Sequence, residues 1–179
     1  MGGSLDEMRR FAEWLAAQKY DRKIVVAGNH DFGYNNNDRE AVENMIRDAG
    51  ATYLRDSSVE IEGVRFWGSP WTPFFHDWAF NVPRGEEIAA KWNLIPEDTN
   101  VLITHGPPHG ILDMTNRGVA AGCEMLLERV MQLNQLKYHI FGHIHEGYGT
   151  LERNGKTFVN ACTCTARYAP TNNPIVIEL

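Results

Sequence analysis

Hydrophobic positions recur along the chain with two periods, and the change from one to the other outlines its elements. Near the start, Leu5, Met8, Ala12 and Leu15 fall at helical spacing behind Ser4 and Glu7, a capping-box pair. They predict a helix over about 5–18. Lys23 to Ala27 is a short β-branched run, hence a strand, leading into Gly28, Asn29, His30 and Asp31. A polar loop with Asn35, Asn36 and Asn37 follows, then a second helix over 38–49 that Gly50 stops.

Beyond it, Thr52 to Leu54, Val59 to Ile61 and Val64 to Trp67 read as short strands, the last two joined at Glu62-Gly63. An aromatic loop comes next, with Trp71, Phe74, Phe75, Trp78 and Phe80 between prolines. It suits a cover over the edge of the core, the rim of a site, or both. Glu86 to Trp92 predicts a short helix, Asn100 to Thr104 a buried strand, and 121–134 a third amphipathic helix. Tyr138 to Phe141 is a strand, and further strands are expected at about 148–152, 156–161 and 174–178. Helices alternate with strands early, and strands crowd together late. The pattern predicts an α/β (α+β) fold, a two-sheet β-sandwich flanked by helices, as a single domain over 1–179.

Composition narrows the functional classes. A chain of 179 residues with 43% hydrophobic and 22% charged residues can bury a substantial core. Its net charge of −6 argues against a nucleic-acid polymer or an acidic membrane as partner. A small anionic substrate stays open, because bound cations invert a local field. No apolar run approaches the length of a membrane span and no signal peptide opens the sequence. Cys123, Cys162 and Cys164 have no framework spacing, which favours reduced thiols and a cytoplasmic setting. Cys162 and Cys164 share a strand face at roughly 6.6 Å, near the upper limit for a disulfide.

The candidate chemistry sits where apolar runs end. Asn29, His30 and Asp31 follow one run, His105 another, and His143 and His145 a third. Parallel strands deliver such ends to one edge of a sheet. Two histidines two residues apart on an extended segment share a face. Amide oxygen with imidazole nitrogen suits Mn²⁺, Fe or Zn²⁺. Glycines beside Asn29, His105 and His143 let backbone and ligand approach closely. His139, inside an apolar strand, reads as a core residue, and Asn160 as packing. His109 is a candidate to face substrate, and Glu146 to support a histidine.

Gly28-Asn29-His30-Asp31, Thr104-His105-Gly106 and Gly142-His143-Ile144-His145 resemble three signature blocks of the calcineurin-like metallophosphoesterases. Ser69 to Pro73, Asp77 to Phe80, Lys91 to Pro96, Gly142 to Gly149 and Pro170 to Pro174 resemble the subfamily of metallophosphoesterase-domain proteins. The resemblance runs from about Ser4 to the end. It implies the calcineurin-like fold and hydrolysis of phosphodiesters, of cyclic-nucleotide or aryl type, by a metal-activated hydroxide. It also implies divalent cofactors, with Mn²⁺ first and Fe or Zn²⁺ as alternatives. Asn29, His105 and His143 would hold one ion and His145 the other, roughly 4 Å apart. His30 would protonate the leaving oxygen or stabilise its charge, with Asp31 orienting the His30 ring.

Two further blocks of that family, an Asp-x-His and a Gly-Asp, do not occur in these residues. They supply carboxylate ligands, including the one bridging both ions. The fold is therefore expected to be shortened at its N-terminus by about 40–60 residues of strand–helix–strand. Three outcomes are open: a longer reading frame, a partner chain supplying the carboxylate, or a pseudo-enzyme or scaffold that binds nucleotide or phosphate without turnover. Exposed sheet edges would also favour a homodimer.

Overall fold

A computed structural model describes residues 3–35 and 38–179. Met1, Gly2, Asn36 and Asn37 lie outside them, and with them part of the expected asparagine loop. Ser4 caps α1 (Leu5–Ala17) as the sequence requires, with both arms of the capping box present. The strand β1 (Ile24–Val25) follows, and then α2 (Arg39–Asp48), after which Gly50 takes φ +72°. β2 (Thr52–Tyr53) pairs in parallel with β1 as a separate two-stranded sheet. Lys23 ties this unit together, since its Nζ donates to Leu15 O and Ala49 O, each at 2.9 Å. One ammonium thereby satisfies carbonyls at the C-terminal ends of both helices.

β3 (Ser57–Ile61) and β4 (Val64–Ser69) form a hairpin whose turn residues Glu62 and Gly63 both take positive φ. That is the requirement of a two-residue turn matching strand twist. A small parallel pair, β5 (Thr72–Pro73) and β6 (Asn81–Val82), brackets the aromatic loop. Then come α3 (Glu86–Trp92), β7 (Val101–Thr104), α4 (Glu124–Gln132), β8 (Tyr138–Phe141), β9 (Gly149–Arg153) and β10 (Lys156–Asn160).

The main sheet has six strands in the order β3-β4-β7-β8-β10-β9. Its four central strands run parallel, and β3 and β9 are antiparallel edges. One core cluster includes Trp92, Leu102, Leu126, Val130 and Phe158, between this sheet and α3 and α4. A second gathers Met8, Leu15, Val42, Ile46 and Phe80 around α1 and α2. The β1–β2 sheet packs onto β4 at Gly68, where an added Cβ would stand 2.3 Å from Leu54 Cβ. The architecture is a mixed α/β fold with its sheets flanked by helices.

Three expected elements differ, the first being the strand expected over Lys23 to Ala27, which spans only Ile24–Val25. The third helix starts at Glu124 rather than 121, because Cys123 is extended and bridges to the Pro107–Pro108 segment. Its N–H donates to Pro107 O and its carbonyl accepts from His109 N. Residues 174–178 form no strand. Ile175 and Ile177 keep the alternation of a half-buried strand, but Val176 is 89% exposed and no ladder forms. The segment is held instead by the Tyr138 hydroxyl donating to Glu178 O.

Candidate metal centre

The parallel strands end together, with Ser69 opposite Thr104 and Asn160 opposite Phe141. The loops beyond these ends carry the site. They line a cleft of about 700 Å³ to which Asn29, His30, His105, His143 and His145 all contribute. Asp31 is not among the lining residues.

At its centre, Asn29 Oδ1 lies 2.7 Å from His105 Nε2. The His105 and His143 rings follow at 4.7 Å between centroids. Asn29 is buried, and its Nδ2 has no partner. Gly28 is required here, because a Cβ would stand 2.5 Å from the His105 ring. Burial holds the His105 imidazole well below its ordinary pKa, with neighbouring histidines adding to the effect. Burial likewise lowers His143 to about 4, helped by His145 and His30. Both rings are neutral at pH 7, as metal ligands must be.

His143 sits in strained backbone. Its φ is +69°, and Ile144 N donates to Gly142 O at 2.8 Å, closing a three-residue turn around it. This is the γ-turn of positive φ, the rarer and less favourable form. Such outliers persist where the surroundings over-determine them. His145 has contacts of its own. Its Nδ1 is 3.0 Å from Thr165 O, so that nitrogen carries the proton and Nε2 is left free. Tyr168 packs edge-on against the ring.

His30 is exposed at the cleft wall, 4.9 Å between centroids from Trp78. Asp31 accepts a 2.7 Å hydrogen bond from Gly28 N. No hydrogen bond joins its carboxylate to the His30 ring, so its observed contact fixes the turn that carries Asn29. Burial raises its pKa, partly offset by that same bond.

The donors fit one ion well. Asn29, His105 and His143 offer neutral oxygen and nitrogen donors that line one cleft, with Asn29 Oδ1 and His105 Nε2 only 2.7 Å apart. They do not fit two. Among the described residues no three His, Cys, Asp or Glu side chains gather as a metal site. The convergent trio depends on the Asn29 oxygen, and no set of three such side chains forms around His145 among the described residues.

Other expectations resolve with equal clarity. The aromatic loop serves both roles foreseen for it: Phe80 is buried in the core, while Phe74, Phe75 and Trp78 line the cleft. His109 does not line the cleft and lies 3.8 Å from the buried Asp113 carboxylate. His139 is fully buried, with Nε2 2.8 Å from Thr104 Oγ1, which donates onward to Gly106 O. Glu146 accepts from Asn116 N and so ties the 115–119 turn to the histidine turn. Arg117, at the tip of that turn, lines the cleft and carried no motif by which the sequence could single it out. All three cysteines are free, and burial pushes the Cys162 thiol up to about 11.

Comparison with known proteins places the chain in a family. The family model of the calcineurin-like phosphoesterases matches residues 2–147. Metallophosphoesterase domain-containing protein 1 of Homo sapiens is 41% identical over 201 aligned positions, covering 99% of this chain and 61% of the human protein. A UPF0046 protein of Caenorhabditis elegans is 34% identical over 203 positions, covering 99% of this chain and 51% of its own length. This chain thus spans between half and two thirds of those curated relatives. The crystal structure of phosphopantetheinyl hydrolase from Mycobacterium tuberculosis shares the fold, with a TM-score of 0.58 at 15% identity, covering 93% of this chain and 77% of that one. The chain belongs to the calcineurin-like phosphoesterase family, which works with divalent metal ions, and it is similar throughout to metallophosphoesterase domain-containing protein 1.

Proposed function

We propose that this chain is a metal-dependent phosphodiesterase acting on small phosphodiesters of cyclic-nucleotide or aryl type, with Mn²⁺ as its cofactor. The observation that carries the reading is the convergence of Asn29, His105 and His143 from three separate strand ends. These three would hold an ion. When bound, divalent ions supply Lewis acidity at the phosphoryl oxygens and lower the pKa of water. His30, exposed in the cleft, donates a proton to the leaving oxygen or stabilises its charge. Asp31 fixes the Asn29 turn through Gly28 N. His145 presents Nε2, its other nitrogen being bonded to Thr165 O. A second ion beside it needs donors that the described residues do not provide. The aromatic rings of Phe74, Phe75 and Trp78 supply an apolar wall for the ester group. The free thiols support a cytoplasmic setting.

Hydrolysis of bis-p-nitrophenyl phosphate with added Mn²⁺ tests this. Wild type should turn over while His105→Ala and His143→Ala fall to background. Equal rates in all three would end the reading. A second reading, a nucleotide- or phosphate-binding protein without turnover, is favoured by the shortage of anionic donors in the cleft. It predicts calorimetric binding of nucleotide with hydrolysis at background even in excess metal.

A further inference from the structure

Asn160 is the last residue of β10, beside Phe141 of β8, and is completely buried. A buried amide must place its donors and its acceptor. Here Nδ2 donates to Ile144 O at 2.8 Å and to Leu112 O at 3.2 Å, while Oδ1 accepts from Cys162 N at 3.1 Å. Both amide hydrogens therefore go to backbone carbonyls of other segments.

Ile144 lies between His143 and His145. Its N–H closes the strained turn on Gly142 O, and its carbonyl also accepts from Gly147 N at 3.1 Å. The peptide on the far side of the His143 turn is thus held at both its donor and its acceptor. Gly147 makes room for this. An added Cβ there would stand 1.9 Å from Leu112 O and 2.8 Å from Asn160 Nδ2. Leu112 in turn takes φ +51° and precedes Asp113, whose carboxylate accepts from Gly110 N and Gly122 N. One amide therefore joins a strand end, the two-histidine turn and the loop whose 115–121 portion lines the cleft.

We infer that Asn160 is a positioning residue for His143 and His145, keeping the positive-φ turn closed so that both imidazoles face the cleft before any ligand arrives. The inference rests on the proposed function in one respect, the metal-holding role given to His143. Without this clamp the backbone at His143 relaxes toward ordinary φ and its ring swings away from His105. Asn160→Asp keeps the shape but replaces the amide nitrogen, with its two N–H donors, by an oxygen that repels the same carbonyls. Asn160→Ala removes the amide without that repulsion.

The test compares wild type, Asn160→Asp, Asn160→Ala and Val130→Ala, a core variant on α4 that loses stability far from the cleft. Two quantities are read at a temperature where each is folded by circular dichroism: imidazole NMR signals of metal-free protein, and Mn²⁺ affinity by electron paramagnetic resonance. Both Asn160 variants should shift the His143 and His145 signals and weaken Mn²⁺ affinity about tenfold or more, as lost support of a ligand typically does. Val130→Ala should leave both quantities at wild-type values. If the Asn160 variants match Val130→Ala in both, Asn160 is packing only and the inference falls. A wild type without phosphodiesterase activity would remove the proposed function, and the NMR comparison, which needs no turnover, would still decide this inference.

Discussion

A Cβ built on Gly28 stands 2.5 Å from the His105 ring, so the imidazole rests directly against the backbone of the Asn29 turn. The contact brings together two strand ends and aligns Nε2 with the oxygen of Asn29, 76 residues away in sequence. The backbone side of the clash is fixed, since the Gly28 N–H is bonded to Asp31.

Gly28→Ala should therefore displace His105 rather than be absorbed. We expect a folded protein, destabilised by about 1–3 kcal/mol through overpacking. Its Mn²⁺ affinity should fall by about tenfold or more through loss of ligand geometry. Thermal melts and Mn²⁺ titration measure the two effects separately.

Asp31 gives a sharper contrast. An amide oxygen can still accept from Gly28 N, so Asp31→Asn should keep most metal affinity and turnover, whereas Asp31→Ala leaves that buried donor unmet. The cost of an unmet donor is about 1–3 kcal/mol. If Asn is as damaging as Ala, the carboxylate acts through its charge on His30 and not through the turn.

His139 sets a pH dependence. Burial lowers its folded pKa to about 3 from an ordinary 6.5. Between those values the unfolded chain binds more protons, so stability is fully present above about pH 6.5 and is lost as pH falls. The linkage for this one group amounts to about 2 kcal/mol at pH 5. His105 and His143 act in the same direction. Urea unfolding at pH 7.5 and pH 5 should show the loss, and His139→Gln should shrink the difference between the two.

Lys23→Met should lower stability by about 2 kcal/mol, because two helix-end carbonyls lose a charged donor. Lys23 does not line the cleft, so turnover per folded molecule should not change.

Much of this was legible in the residue pattern. Ser4 and Glu7 with the helical spacing behind them located α1, and the run Tyr138 to Phe141 located β8 to the residue. The donors Asn29, His105 and His143 were legible because each follows a β-branched or apolar run that must end at the same sheet edge. Contacts made by backbone carbonyls were not. Nothing in the residue type of Thr165 signals that its carbonyl fixes the His145 tautomer. Asn160 read as packing because its partners, Ile144 O and Leu112 O, are 16 and 48 residues away and chemically anonymous. The alternation at Ile175 and Ile177 predicted a strand, but a half-buried pattern does not guarantee a neighbour to pair with. At α4, the hydrophobic period continued through residues that a bridge to Pro107–Pro108 keeps extended.

Asn29, His105 and His143 together make the proposed site for a divalent ion. Electron paramagnetic resonance of Mn²⁺ titrated into the metal-free protein at pH 7.5 reads that directly. We predict saturable binding that disappears in His105→Ala and in His143→Ala but persists in His109→Ala, whose ring lies off the cleft. Binding that survives both of the first two substitutions, or none in the wild type, would contradict it.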